Sequence, residues 1–444
     1  MTRLAEGMNR LLWGAPALIL ILGVGLYLTI RLGAVQLTLF PRAVKAFCAQ
    51  FRKAGHNREG VSSFQAMCTA LGATVGTGNL VGVAGAICLG GPGAIFWMWL
   101  CGLLGMVTKF AEATLAVRYR VKAKDGWRGG PMYTMLGGLG SRWMVAAKLY
   151  CMFGVIAAFG VGNATQINAI TTSVRGLLPI ENWVLGLFLA ALVAILLFGG
   201  SASIGAAAER LVPFAAGGYI LLCAGVLAVK AQAIPGAFFS ILQGAFSPRA
   251  VTGGALGSAF QALRIGCSRG VFTNEAGMGT ASIAHGAAEV DHPCQQGLMG
   301  MMEVFLDTIV ICTLTALVIL VSGVPIPYGK DVGGELTTQA FSGVFGTGAA
   351  VYLTLSLILF ALATILGWGL YGARCAEFLF GPKSWKWFAL AQTAMVLFGA
   401  VADTGAVWAL AETVNGLMVL PNLITLAALT PELCRLTKEY KKSR

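Results

Sequence analysis

The chain has 444 residues, 57% hydrophobic and only 11% charged, with a mean hydropathy of +0.78. Soluble domains carry about a quarter charged residues, which excludes a soluble globular domain and leads to the expectation of an all-α polytopic membrane protein embedded in a lipid bilayer. A net charge of +13 would suggest nucleic acid in a soluble chain, but here the basic residues lie in loops between apolar runs, where membrane topology accounts for them, and no nucleic-acid partner is expected.

In chain order, eleven apolar runs have about the length needed to cross a bilayer. They are Leu11–Leu32, Val61–Leu89, Pro92–Val117, Met144–Ser173, Val184–Gly200, Leu211–Val229, Ala255–Ala287, Gln296–Val321, Ala349–Phe378, Trp387–Val401 and Thr404–Leu429. Arg3 and Arg10 precede the first run as in a signal peptide, yet the run is long enough to span and no A-x-A site follows, so it is read as a helix. Leu37–Lys53 is amphipathic and is expected at the interface. Of the 31 Lys and Arg residues, 22 fall on one side of this arrangement and 6 on the other. That asymmetry places the N-terminus outside and the C-terminus in the cytoplasm of a cell (inner) membrane protein. The tail Thr437–Lys442 is expected to be a solvated end. The eleven cysteines lack CxxC spacing and lie mostly in apolar runs, as small core residues do.

Two of the runs are interrupted. Gly72-Ala73-Thr74-Val75-Gly76-Thr77-Gly78-Asn79 puts three glycines within seven residues of a spanning segment. Each glycine costs a helix about 1 kcal/mol relative to alanine and frees backbone groups. In hydrocarbon such backbone is tolerated only where protein buries it or it lines a cavity. A second break follows at Phe272-Thr273-Asn274-Glu275-Ala276-Gly277-Met278-Gly279. With the first span set aside, ten remain as five and five, each half beginning with a broken helix. Five is odd, so the halves enter the membrane in opposite directions, the inverted-repeat arrangement of coupled transporters. The expected organisation is residues 1–60 as an N-terminal helix plus amphipathic segment, 61–230 and 231–429 as the two repeats, and 430–444 as a tail.

These residues resemble the alanine or glycine:cation symporter family, also called sodium:alanine symporters, of the amino acid–polyamine–cation superfamily. The resemblance is carried by Gly90-Gly91-Pro92-Gly93-Ala94-Ile95-Phe96-Trp97-Met98-Trp99-Leu100, Gly76-Thr77-Gly78-Asn79 and Thr273-Asn274-Glu275-Ala276-Gly277-Met278-Gly279, and it covers the chain from about Trp13 to Leu429. It implies a leucine-transporter-like 5+5 inverted repeat with one extra N-terminal helix, eleven transmembrane helices in all, with sodium as the coupling ion. One sodium site is implied at the Gly72 and Val75 carbonyls with Ala361 and Thr364, and a second at Thr74, Asn79 and Thr273. Hard oxygen ligands suit a hard cation. The bland reading of Thr74, Thr364 and Asn79 is hydrogen bonding to backbone or to a neighbouring helix.

A zwitterionic amino acid needs partners at both ends, and unwound helices supply N–H groups for the carboxylate and carbonyls for the ammonium. The carboxylate is expected at Gly76, Thr77 and Gly78, aided by Asn79 or Gln166, and the ammonium near Thr273 and Gly277. Gln166 faces either substrate or another helix; Met278 and Trp368 either wall the side-chain pocket or fill the core. Ionisable residues at membrane depth are functional suspects because they are costly there. Glu275, inside the second break, and Asp307, two turns into its span, are the candidates for gating or ion coupling. Glu303, Glu412, Arg264 and Arg269 also lie at depth, the last three as interhelical or mouth-facing charges. Lys109 and Glu112 are expected to pair with each other and snorkel. His285, Glu289, Asp291 and His292 are read as polar residues of a cytoplasmic turn, and no resident metal is expected. No catalytic motif appears, so no enzyme is expected. The expected function is sodium-coupled uptake of alanine or glycine by alternating access. A proton-coupled transporter of the same fold is the first rival and a channel the second; a membrane enzyme would rest on the histidine cluster alone.

Overall fold

In the computed structural model, the structure describes residues 14–52, 60–124, 126–247, 249, 252, 258–330, 334–402 and 405–443. Helices dominate, because hydrocarbon offers no partner for a free peptide group and a helix satisfies its own. Ala15–Leu32 ends at Gly33, whose φ of 69° is a left-handed cap, and Phe40–Arg52 forms the expected amphipathic helix. Ser63–Thr74 opens on a capping box: Ser62 Oγ accepts from Gln65 N at 3.0 Å and Gln65 Oε1 accepts from Ser62 N at 3.1 Å. After the first break the chain resumes as a π-helical turn, Gly78–Gly82, and then Val83–Gly90, bent by 51° from the preceding half.

The Gly90–Leu100 motif has a packing explanation. Gly91 turns the chain at φ 75° and Pro92 leads into Gly93–Arg118. A Cβ built on Gly93 would overlap the Gly244 carbonyl, and one on Gly266 would overlap Ala94 O. Glycines thus let Ile234–Phe246 and Ala259–Asn274 approach the start of the 93–118 helix backbone to backbone. That helix is the core of the molecule, packed also against Pro293–Val304. Val83–Gly90 packs on the 259–274 and 93–118 helices, while Ser63–Thr74 lies against Gly200–Val229 and Thr347–Phe380. Met144–Phe159, a π-helical Gly160–Ala164 and Thr165–Arg175 make one long helix beside it.

Among the described residues, five helices are long and apolar enough to cross a membrane: Gly93–Arg118, Ser141–Arg175, Gly200–Val229, Pro293–Val321 and Gly348–Phe380. The 63–90 pair passes the same test when its halves are taken together, and Pro16–Leu32 and Asn182–Phe198 are shorter apolar helices. Four segments differ from the sequence reading. The helix read from Leu211 begins at Gly200, with Gln65 Nε2 donating to Glu209 Oε2 at 2.9 Å. Ile234–Phe246 and Gly334–Phe345 are helices where loops were expected. Thr430–Lys442 is no solvated end: Leu433, Leu436 and Tyr440 are buried, and Arg118 Nε donates to Glu432 Oε1 at 2.9 Å. Its apolar positions recur at helical spacing between charges, and the tail docks that face under the bundle. All cysteines except Cys48 and Cys434 are buried, and none is in a disulfide.

Candidate functional site

The first break is closed by a side chain. Gly76 N donates to Asn79 Oδ1 at 3.0 Å, so the unwound backbone folds back on its own asparagine. The other half of that amide, Nδ2, donates to Asp307 Oδ1 at 2.6 Å, to Asp307 O at 3.3 Å and to Cys312 Sγ at 3.3 Å. Asp307 sits in a π-helical stretch, Phe305–Cys312, whose wider turn is a frequent mark of functional sites. Its Oδ2 accepts from Thr308 Oγ1 at 2.8 Å, and Thr308 Oγ1 accepts from Asn274 Nδ2 at 3.1 Å. Asn274 Oδ1 in turn accepts from Ala276 N at 3.0 Å, inside the second break. One buried polar chain therefore joins the two breaks.

The second break is a run of left-handed residues. Glu275 has φ 53°, Gly277 96° and Gly279 80°. Only the glycines adopt this geometry freely, so Glu275 is held there at some strain. Glu275 Oε1 accepts from Trp368 Nε1 at 3.1 Å, and Oε2 accepts from Thr280 Oγ1 at 2.6 Å. Beyond it, Glu112 Oε1 accepts from Gly277 N at 2.9 Å, Gly279 N at 3.1 Å and Asn422 Nδ2 at 2.7 Å. Asn422 Nδ2 also donates to Gly277 O at 2.9 Å.

Two expectations are corrected here. Lys109 and Glu112 neither pair across a turn nor snorkel, since both are buried in the core. Lys109 Nζ lies 3.3 Å from Glu303 Oε1, while Glu112 holds the second break. His285 is no loop residue: it is fully buried, its Nε2 2.9 Å from Glu303 Oε2 and its Nδ1 2.7 Å from Gln296 Nε2. Ser63 Oγ donates to Gln296 Oε1 at 2.6 Å, so the row Ser63–Gln296–His285–Glu303–Lys109 runs from the start of the first broken helix into the core. His292 caps the next helix, its Nδ1 accepting from Cys294 N at 3.2 Å.

Between the breaks lies a narrow cavity of about 20 Å³, lined by Ala73, Thr74, Gly76, Thr77, Gly78, Val161, Gln166, Phe272, Glu275, Met278, Thr364, Trp368 and Asn415. A space of that size holds one water-sized group, so the walls lie close together in this conformation. Thr77, Gly78 and Phe272 also line a second cavity of about 480 Å³, whose walls include Thr165, Asn168, Thr172, Arg269 and Glu335. These three residues belong to the walls of both the larger vestibule and the narrow cavity.

Of the residues expected around sodium, Thr364 Oγ1 donates to Gly72 O at 3.0 Å and to Phe360 O at 3.1 Å. Ala361 and Val75 are buried nearby in sequence to these partners. Thr74 Oγ1 bonds back to Leu71 O at 3.1 Å and Ala70 O at 3.3 Å, and Thr273 Oγ1 to Gly270 O at 2.9 Å. Each hydroxyl oxygen keeps lone pairs free for a cation while its proton is held by the helix. The Gly76 N–H, expected at the substrate carboxylate, is taken by Asn79 Oδ1 in this conformation, and Gly76, Thr77 and Gly78 all line the cavity. Gln166 Nε2 donates to Val161 O at 3.1 Å, which presents Oε1, an acceptor, to the cavity. Met278 and Trp368 do line it. Arg264 is exposed, Arg269 is half-buried on the vestibule wall, and the Glu412 side chain lies outside the described residues.

The sequence reading gave no site role to Glu112, Phe272, Asn274, Asn415 or Asn422. Two asparagines seven apart in an otherwise apolar segment are a visible signal, because they share a helix face and cannot both face lipid.

Comparison with known proteins agrees with this architecture. The profile of the sodium:alanine symporter family matches residues 1–444. The chain is 43% identical over 442 residues to a transporter of Haemophilus influenzae, covering 98% of this chain and 95% of that one. It is 41% identical over 447 residues to the sodium/alanine symporter AgcS of Methanococcus maripaludis, covering 99% and 97% of the two chains. Its fold is similar to that of MhsT, a leucine-transporter-fold protein solved in complex with L-phenylalanine, with a TM-score of 0.58 at 16% identity over 86% of this chain and 99% of that one. On the full-length family match, this chain belongs to the sodium:alanine symporter family of membrane transporters.

Proposed function

We propose that the protein is a secondary active symporter that takes up a small neutral amino acid, alanine or glycine in the first instance, driven by sodium and working by alternating access. The observation that carries this reading is the narrow cavity between two broken helices whose breaks are wired together through Asn79, Asp307, Thr308 and Asn274. Thr77 and Gly78, at the start of the second half-helix, offer N–H groups to a carboxylate, and Gln166 Oε1 offers an acceptor to the ammonium. Sodium would bind the Gly72 and Val75 carbonyls with Ala361 and Thr364, and a second ion would bind Thr74, Asn79 and Thr273 with Asp307 close by. Ion and substrate would then share one segment of backbone, so each orders the other's partners, and that is coupling in the thermodynamic sense. Glu275, tied to Trp368 on the cavity wall, is the gating candidate.

The arrangement in the bilayer belongs to the same reading: eleven spans, residues 61–230 and 231–429 as inverted repeats, the N-terminus outside, and the C-terminus in the cytoplasm. The vestibule then faces outward. Radiolabelled alanine and glycine uptake into proteoliposomes tests the whole reading, with an inward sodium gradient set against a proton gradient at equal membrane potential. Accumulation driven by sodium alone, and weakened sodium dependence in Thr364→Ala, is the expected result. Accumulation driven by protons without sodium would remove the ion sites while leaving the family assignment in place.

A further inference from the structure

Two residues that line the narrow cavity carry a buried oxygen with no hydrogen-bond partner: Gln166 Oε1 and Asn415 Oδ1. Their residues are 4% and 2% exposed. A buried carbonyl oxygen left unpaired carries its full desolvation cost, so each marks a place where a ligand donor belongs. Glu275 is not such a place, because Trp368 and Thr280 engage both of its oxygens.

The two acceptors serve different ends of a ligand. Gln166 is anchored by Val161 O and turns Oε1 toward the first break, 3.8 Å from where a Cβ on Gly76 would stand. Asn415 comes from Gly405–Ala428, which packs against 144–159 and the π-helical 160–164. Asn422, seven residues on and so on the same face, reaches Gly277 in the second break. Asn415 therefore joins Val161, Met278 and Trp368 in the lining of the cavity. Gly162 fixes that wall, since a Cβ there would overlap Trp368. The wall is bulky and close, and its one unpaired polar atom is Asn415 Oδ1.

An amino acid held at its charged ends by the breaks points its side chain at this wall. We propose that Asn415 Oδ1 accepts a hydrogen bond from the substrate side chain, and that the site selects a short hydroxylated amino acid such as serine over its apolar isostere. This rests on reading the cavity as an amino-acid site. Between side chains of equal size the hydroxylated one is favoured, because a methyl leaves the buried acceptor unpaired, whereas alanine leaves room for a water there. Asn415 is a specificity-determining residue on this account.

The test is competition against radiolabelled alanine uptake in proteoliposomes of the full chain, using serine and 2-aminobutyrate, in which a methyl replaces the hydroxyl. The wild-type protein is expected to prefer serine by about tenfold. Asn415→Leu is expected to bring the ratio to unity or reverse it. Equal inhibition of the wild-type protein by serine and 2-aminobutyrate overturns the proposal, and this result needs no variant to fold. A loss of both ligands in equal measure in a folded Asn415→Leu also overturns it, since that places the residue at a group the two share. Failure of folded wild-type protein to take up or be inhibited by any of the three amino acids sinks the amino-acid reading itself, and this inference with it.

Discussion

Asn79 Nδ2 donates to Asp307 Oδ1 across 2.6 Å, joining two residues 228 positions apart at the centre of the molecule. The bond makes the first break a fixed object, because the same amide holds Gly76 N through its oxygen. Removing it by Asn79→Ala leaves a buried N–H and a buried carboxylate oxygen without these partners, at about 1 to 3 kcal/mol for each. If the unwound backbone is the shared ligand of ion and substrate, the sodium concentration for half-maximal uptake should rise about tenfold or more, one decade being about 1.4 kcal/mol. Asp307→Asn keeps the shape and one acceptor, and should fall between wild type and Asn79→Ala. The measurement is sodium-dependent alanine uptake alongside the thermal melt. A lowered melting temperature with unaltered sodium dependence would make the link purely structural.

Glu112 holds the second break in the way Asn79 holds the first, from a different helix. Its Oε1 accepts from Gly277 N, Gly279 N and Asn422 Nδ2 at once. Glu112→Ala strands all three donors, and the cost should exceed about 3 kcal/mol. Glu112→Gln retains one acceptor oxygen and should cost less than half as much. Detergent-solubilised melting curves give the order wild type, Gln, Ala; an alanine variant as stable as the glutamine variant would mean the break does not depend on this carboxylate.

Both breaks were readable in the sequence, and what was not readable has a common cause. Glycines and polar residues inside apolar runs announced both breaks, because hydrocarbon leaves no other use for them. The spacing of Ala361 and Thr364 put them on one helix face, and the fold brings Thr364 to Gly72. What spacing could not give was the partner across helices. Lys109 and Glu112 are three apart and read as a surface pair, yet each bonds to a residue more than 150 positions away. An apolar run of 26 residues has no polar face to show which side is outward, and the 93–118 helix is buried nearly all round. The helices at 234–246 and 334–345 escaped notice because they are too short to span, and the docked tail because its charges hid three apolar contacts.

The buried charges beside Glu112 call for a double-mutant cycle. Lys109 Nζ is 3.3 Å from Glu303 Oε1, and His285 Nε2 is 2.9 Å from Glu303 Oε2, all without solvent. Breaking a buried pair from one side costs about 3 to 5 kcal/mol, because the remaining charge is uncompensated, whereas replacing both partners with apolar groups can be nearly neutral. Lys109→Met and Glu303→Leu should each be severely destabilising, and the double variant should recover most of the loss. Additive single losses in the melt would mean that the two charges are compensated separately.

The glycine motif that opens the 93–118 helix makes the last prediction. Gly93 and Gly244 meet backbone to backbone, so a methyl group at Gly93 would have to displace the 234–246 helix and not merely a side chain. Backbone gives way far less readily than the end of a flexible side chain, so Gly93→Ala should cost well over the usual point-mutation loss of about 1 kcal/mol and is expected to lower the yield of folded protein. Gly217 supplies the contrast. It lies inside the 200–229 helix with nothing within 4 Å of where a Cβ would stand. Gly217→Ala reduces the freedom of the unfolded chain without a clash, and should stabilise by about 0.4 to 1 kcal/mol. Melting temperatures of the two variants in one detergent should therefore move in opposite directions. A shift of the same sign and size at both positions would show that Gly93 is tolerated by relaxation of the short helix, and that the motif owes its sequence to something other than this contact.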